Sequence, residues 1–188
     1  MKPLETERLL LRVFCTGDLE DVYREVYSDP DVANFYCGRT KTREETQEWL
    51  AFRTAEWGYT GSFGRLAVAR KNDRALLGMV GLDAYVNNFA RFPDDPAPRF
   101  NDVEVELSFA FGKRYWGQGY AFEASQALIR FAFEDRRLRR LVGGAALENE
   151  RSRRLQERLG FRVMLTADGG GYITILENTL IPEKETGL

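Results

Sequence analysis

The apolar positions of this chain change their spacing along its length, and each change marks an element. Residues 9–13 form a short apolar run with β character. Thr16 stands where a helix N-cap belongs, with Asp18 and Glu20 in the first turn. Leu19, Val22, Tyr23, Val26 and Tyr27 follow at helical spacing. Pro30 ends that stretch. Thr42-Arg43-Glu44-Glu45 is a capping-box sequence that launches a helix carrying Trp49, Leu50, Phe52 and Trp57 before Gly58 and Gly61. Residues 65–70 and 76–82 read as the strands of a hairpin joined by Lys71-Asn72-Asp73-Arg74. Residues 87–102, with Pro93, Pro96 and Pro98 beside Asp94, Asp95 and Asp102, read as a long loop.

Val103, Val105, Leu107, Phe109 and Phe111 then alternate with Glu104, Glu106, Ser108 and Ala110, the period of a half-buried strand. After a glycine turn the pattern predicts a helix over 119–134, a strand over 141–147, a helix over 150–159, and strands over 161–166 and 172–176. Strands alternating with helices predict an α/β or α+β layer fold with a mixed sheet. No linker or repeat divides the chain. Residues 1–188 therefore read as one domain, with its core in about 4–176 and a C-terminal tail over 177–188.

Composition narrows the chemistry. The chain has no histidine, which removes Ser-His-Asp and Cys-His catalysis and every His-ligated metal site. Its net charge of −2 gives no global attraction to nucleic acid or acidic membranes. Cys15 and Cys37 are too few for structural zinc or a disulfide framework, and read as reduced thiols. The first residues lack the apolar core of a signal peptide, and no run approaches ~20 apolar residues. The expectation is a cytoplasmic protein with no metal, nucleic-acid or membrane partner. A nucleic-acid module built on the arginines of 136–158 is the reading this charge balance disfavours.

The informative segment is Arg114-Tyr115-Trp116-Gly117-Gln118-Gly119, followed by the helix opening Tyr120-Ala121-Phe122-Glu123-Ala124. Glycines here let backbone N–H groups turn toward one point, and a helix N-terminus adds unpaired donors and partial positive charge. Such a turn is an anion site, or a plain tight turn. The GKS/GKT and GxGxxG patterns of nucleotide sites are both missing.

Further motifs follow in order: Asn149, Ser152 and Leu155 at three-residue spacing, then Leu159-Gly160-Phe161. With the glycine turn, they resemble the GNAT superfamily of acyl-CoA-dependent N-acetyltransferases. The opening Leu4-Glu5-Thr6-Glu7-Arg8-Leu9-Leu10-Leu11-Arg12 and the run from Tyr115 to Ala121 resemble its RimJ/RimL-like branch. The resemblance spans residues 4–176. It implies a mixed, mostly antiparallel sheet flanked by helices, whose central parallel strands splay apart, and acetyl-CoA as co-substrate. Phe109, Ala110 and Phe111 would give main-chain contacts. Arg114, Tyr115, Trp116, Gly117, Gln118, Gly119, Tyr120 and Ala121 would cradle the pyrophosphate, and Asn149 would hydrogen-bond the pantetheine arm. Arg136, Arg137, Arg139 and Arg140 could include a ribose-phosphate partner, or form a solvated cationic face.

Acetyl transfer to an amine needs a proton acceptor for the nitrogen and a proton donor for the leaving sulfur, and direct attack in a ternary complex needs no imidazole. Glu106, on the polar face of the strand, is the first candidate base, with Glu104 on the same face. The plain alternative is a solvated or salt-bridged carboxylate. The general-acid tyrosine of many superfamily members is here Gln156, a departure from the pattern. Ser152 is the nearest candidate to assist the sulfur, and alternatively a helix-capping serine. Neither Cys15 nor Cys37 has a visible activating base, which argues against a ping-pong acyl-enzyme. Tyr27, Tyr36, Trp49, Tyr85 and Tyr172 could line an acceptor cleft or serve as core, and Asp94 and Asp95 could attract a cationic amine. The acceptor is expected to be a protein N-terminus or a small-molecule amine, and a homodimer is a fair expectation. Because of Gln156, an acyl-CoA-binding regulatory domain without turnover is the alternative.

Overall fold

In the computed structural model, which describes residues 2–60, 63–87, 102–166 and 169–179 (the side chains of 56–60, 85–87 and 102 excepted), eight strands form one sheet in the order β1-β2-β3-β4-β5-β6-β8-β7. The strands are β1 Leu4–Glu5, β2 Leu9–Arg12, β3 Gly64–Arg70, β4 Leu76–Asn87, β5 Asp102–Phe111, β6 Arg140–Ala146, β7 Arg162–Leu165 and β8 Gly171–Glu177. The helices are α1 Leu19–Val22, continued by a π turn over Tyr23–Tyr27, α2 Pro30–Cys37, α3 Arg43–Thr60, α4 Tyr120–Arg130, continued by a π turn over Phe131–Asp135, and α5 Glu150–Arg158. Every neighbouring pair of strands is antiparallel except β5 and β6. The expected mixed sheet with central parallel strands is what the chain forms.

The strands' period of two divides the molecule into layers. Leu66, Val68, Val80, Leu82, Val105, Leu107 and Phe111 bury against α4 on one face. Ala67, Met79 and Ala110 bury against Phe14, Val22, Val26, Tyr27, Val32 and Leu50 from the α1–α3 side. Burying both faces takes these side chains out of water, worth about 1.5–3 kcal/mol for each large one fully covered.

Several local expectations change in the folded chain. Thr16 is not the N-cap. Cys15 precedes a 3-10 turn, and Asp18 reaches back to accept from the Cys15 N–H at 2.8 Å while Arg12 grips its two oxygens at 2.7 and 2.6 Å. Burial alone would raise the Asp18 pKa, but these donors bring it below the ordinary carboxylate value. Pro30 ends one helical stretch and also begins α2. Proline fits the first helical position, and Asp29 caps that helix by accepting from the Asp31 N–H at 2.9 Å. The Thr42 capping box forms in both directions, with the Glu45 N–H on Thr42 Oγ1 at 3.2 Å and the Thr42 N–H on Glu45 Oε2 at 2.8 Å. At the start of β5 the alternation inverts: Val103 is 71% exposed and Glu104 only 4%. Glu104 is buried because Arg140 of β6 binds both its oxygens, with Nε 3.0 Å from Oε2.

Candidate active site

The parallel pair sets the site. β5 and β6 meet at one register position, Glu106↔Val142, and part beyond it. β5 pairs with β4, and β6 with β8, along its whole length, so each parting strand is supported on its far side. Between them opens a wedge whose walls are strand edges, with Phe109, Ala110 and Phe111 on one wall. Ala110 and Phe111 are buried, Phe109 is half-buried, and the Phe111 carbonyl accepts from the Trp116 indole N–H at 2.7 Å.

At the wide end lies the glycine turn. Gly117 and Gly119 have φ of +74° and +81°, a region costly for residues with a Cβ. The N–H groups of Tyr115 and Trp116 are satisfied by Gly112 and Lys113 carbonyls at 2.9 and 3.2 Å. From Gly117 to Phe122, no backbone N–H donates to an acceptor among the described residues. A run of unpaired donors at a helix N-terminus fits an anionic group such as a pyrophosphate.

Side chains of the turn serve other ends. Tyr115 and Tyr120 enter the core, and Arg70 Nη1 donates to the Tyr120 hydroxyl at 3.3 Å. The Gln118 amide donates to the Arg114 carbonyl at 2.8 Å. Arg114 does not point its charge at the turn. Its guanidinium binds Glu25, Nε to Oε2 at 3.0 Å, and Glu25 is 4% exposed. Glu123, in the first turn of α4, is neutralised from the N-terminal segment: it accepts from the Thr6 hydroxyl and from the Arg8 N–H and Nε at 2.5, 2.9 and 2.6 Å.

On β6's other neighbour, α5, the Asn149 Oδ1 caps the helix by accepting from the Ser152 N–H at 3.2 Å, leaving Nδ2 to donate elsewhere. The Ser152 hydroxyl is not a cap. It accepts from Gln156 Nε2 at 3.0 Å. Gln156 is 2% exposed, also donates to the Gly144 carbonyl at 3.3 Å, and accepts from the Thr174 hydroxyl. The residue at the tyrosine position is thus a buried amide joining α5, β6 and β8.

Glu106 lies where the strands part, on the α1–α3 face. Burial first, and then the nearby Asp83, push its pKa above the ordinary glutamate value, while Arg65 pulls it down. Asp83 is its direct cross-strand partner. Arg65, Arg53 and Ser108 contact Asp83, and the Arg65 guanidinium lies 5.0 Å from the Tyr36 ring centre. Sequence reasoning missed Asp83, Arg53 and Arg65, because they sit in elements whose spacing signals only packing.

Tyr27 is core and stacks edge-on with Trp49 at 5.2 Å. Tyr36 and Trp49 are half-buried beside Arg65 and Arg53. Tyr172 is elsewhere, on the α5 face beneath Arg153. The Tyr85 side chain, Asp94 and Asp95 lie outside what the structure describes. Of the four arginines after α4, Arg140 is committed to Glu104. Among the described residues no group of three or more His, Cys, Asp or Glu could hold a metal ion, and no helix is long and apolar enough to cross a membrane.

Residues 8–162 match the acetyltransferase (GNAT) domain family. The chain is 28% identical over 165 residues to the uncharacterized protein YkkB of Bacillus subtilis, covering 87% of each chain. It is 26% identical over 159 residues to the uncharacterized N-acetyltransferase YnaD of the same organism, covering 85% of this chain and 82% of that one. Its fold superposes on the crystal structure of a GNAT-family acetyltransferase from Bacillus anthracis with a TM-score of 0.73 at 23% identity, covering 94% of this chain and 98% of that one.

Proposed function

The chain belongs to the GNAT acetyltransferase family and is an acyltransferase, and from that premise we propose that it transfers an acetyl group from acetyl-CoA to a primary amine by direct attack in a ternary complex. The observation that carries the reading is the wedge between β5 and β6, which runs from the open N–H groups after Gly117 to Glu106 at its narrow end. The edges of the parted strands fit the amides of a pantetheine arm as an added strand would. The turn from Gly117 to Ala121 fits a pyrophosphate through backbone donors, without the Arg114 side chain. Asn149 Nδ2 adds a donor on the opposite wall.

Acetyl-CoA supplies an acyl group on a sulfur that leaves as thiol. Glu106 takes the proton that the attacking nitrogen loses as the N–C bond forms, and a raised proton affinity suits that task near neutrality. Because Gln156 Nε2 is a donor, Ser152 Oγ must accept in their shared bond, and its own hydrogen is free to go to the sulfur as the C–S bond breaks. Solvent restores both groups. The acceptor is a protein N-terminus or a small-molecule amine, bound on the α1–α3 face where Tyr36 and Trp49 adjoin the acidic pair.

The test is thermal melting with and without acetyl-CoA, followed by thiol release with an alanyl peptide, an amino sugar, spermidine and free amino acids. Stabilisation with thiol release on at least one amine is the expected result. Stabilisation with no release would favour an acyl-CoA-binding domain without turnover, and no stabilisation near millimolar acetyl-CoA would remove both readings.

A further inference from the structure

Asp83 and Glu106 face each other directly across β4 and β5. Directly opposed residues hold their Cβ atoms about 4.5–5.5 Å apart, so two carboxyl groups share one small volume beneath α1–α3. Like charges so placed repel, and the proton that relieves the repulsion goes to the carboxyl whose surroundings stabilise its anion less. Here the surroundings are sharply unequal. Asp83 collects donors: Arg65 Nε at 3.2 Å and the Ser108 hydroxyl at 2.7 Å on Oδ2, with Arg53 Nη1 4.0 Å from Oδ1. Among the described residues, nothing donates to the Glu106 carboxyl. Among the described residues, the titratable groups around the pair also include Tyr27, Tyr36, Cys37 and Glu104, the last bound by Arg140 of β6. The β6 residue opposite Glu106 is the apolar Val142.

We infer that Asp83 is a positioning residue for the transfer: its anchored charge, one strand across, keeps Glu106 as the member of the pair that takes up the acceptor's proton. The inference rests on the reading of Glu106 as base and extends it by one residue. Asp83 acts through Glu106 and needs no contact with the acceptor. Arg65 has the opposite sense, drawing charge density toward Asp83 while easing ionisation of Glu106.

The test follows the carboxyl itself. Protein labelled with 13Cδ-glutamate is titrated by NMR, the Glu106 signal being the one lost in Glu106→Gln. Asp83→Asn removes a negative charge and leaves Arg65 in place, so the Glu106 midpoint falls, by about half a pH unit if water screens the pair fully and about two units at an effective dielectric near 20. Arg65→Gln leaves Asp83 with Ser108 and Arg53 and moves the midpoint up, which keeps the proposal testable if Asp83→Asn fails to fold. The acid limb of thiol release at saturating amine shifts with the Asp83→Asn midpoint, and the plateau falls because the base is weaker. A role in folding alone would lower the plateau without moving the limb. An unmoved midpoint in Asp83→Asn, or a downward one in Arg65→Gln, overturns the inference while a dead Glu106→Gln leaves the base reading standing. Wild-type turnover in Glu106→Gln removes the base reading and this inference with it.

Discussion

The Gln156 side chain donates to the Ser152 hydroxyl at 3.0 Å, one turn apart on α5. That bond fixes which of the two oxygen roles Ser152 plays, and the rest of the Gln156 amide is tied to Gly144 and Thr174. Gly143 makes room for it, since a Cβ there would lie 2.6 Å from Gln156 Oε1 and 2.8 Å from Thr174 Oγ1.

Gln156→Leu leaves the buried Thr174 hydroxyl without this partner, so stability falls by about 1–3 kcal/mol. Ser152→Ala costs less than about 1 kcal/mol, because Gln156 keeps the Gly144 bond, yet it lowers turnover by about a hundredfold or more if the hydroxyl protonates the sulfur. Urea unfolding and thiol release read the two effects separately. Equal losses of stability in both variants would contradict this division.

Gly119→Val forces a β-branched side chain into φ +81° at the N-cap of α4 and displaces the donors beyond it. The thermal shift produced by acetyl-CoA should vanish. Gly117→Ala is the milder control: a Cβ at Gly117 meets nothing within 4 Å, so its cost is the backbone strain of about 1–2 kcal/mol alone. An unchanged acetyl-CoA affinity in Gly119→Val would move the cradle elsewhere.

Arg8→Ala uncovers the Glu123 charge beside the open N–H groups. Acetyl-CoA affinity should fall about two- to fivefold, the worth of one charge near a helix terminus, and the loss should shrink in high salt. Adding Glu123→Gln to the Arg8 variant should restore it. Isothermal titration of the single and double variants measures the cycle, and failure of the second change to restore affinity would show that Arg8 acts by other means.

Glu106 carries a pH signature in stability as well as in rate. Its folded pKa lies above the unfolded value, so folding binds a proton more tightly there. The native state is therefore favoured below the unfolded value of about 4.3, and that advantage is lost as pH rises through the folded pKa. Glu106→Gln should melt higher than wild type at pH 8, with the gap closing as the pH approaches about 4. A gap that widens on acidification would reverse the assigned direction.

The sheet, the capping box at Thr42 and the strand carrying Glu106 were legible because each is written in local spacing. Glu106 could be placed on a polar face by period alone. Its partner could not: Asp83 is 23 positions earlier, and only the register of β4 against β5 brings the two together. Pro30 was ambiguous for a different reason, since the ring that stops one helix is equally suited to start the next. Glu104 and Val103 invert the alternation because an arginine from a parallel neighbour compensates the buried acid, a long-range pairing that no window of sequence contains. The turn at Gly117 was legible as a backbone feature, whereas the commitment of Arg114 to Glu25 depended on where the π turn after α1 packs.

Among the described residues one rung, Glu106↔Val142, is the register that joins the two halves of the sheet, with the Glu104–Arg140 ion pair just behind it. Mechanically this is a pivot. The arm from Glu106 to Phe111 is about 17 Å long at strand rise, so rocking the halves by about 5° would carry its tip by about 1.5 Å and the pivot hardly at all. The geometry thus separates the wide mouth of the wedge at Phe111 from its fixed end at Glu106.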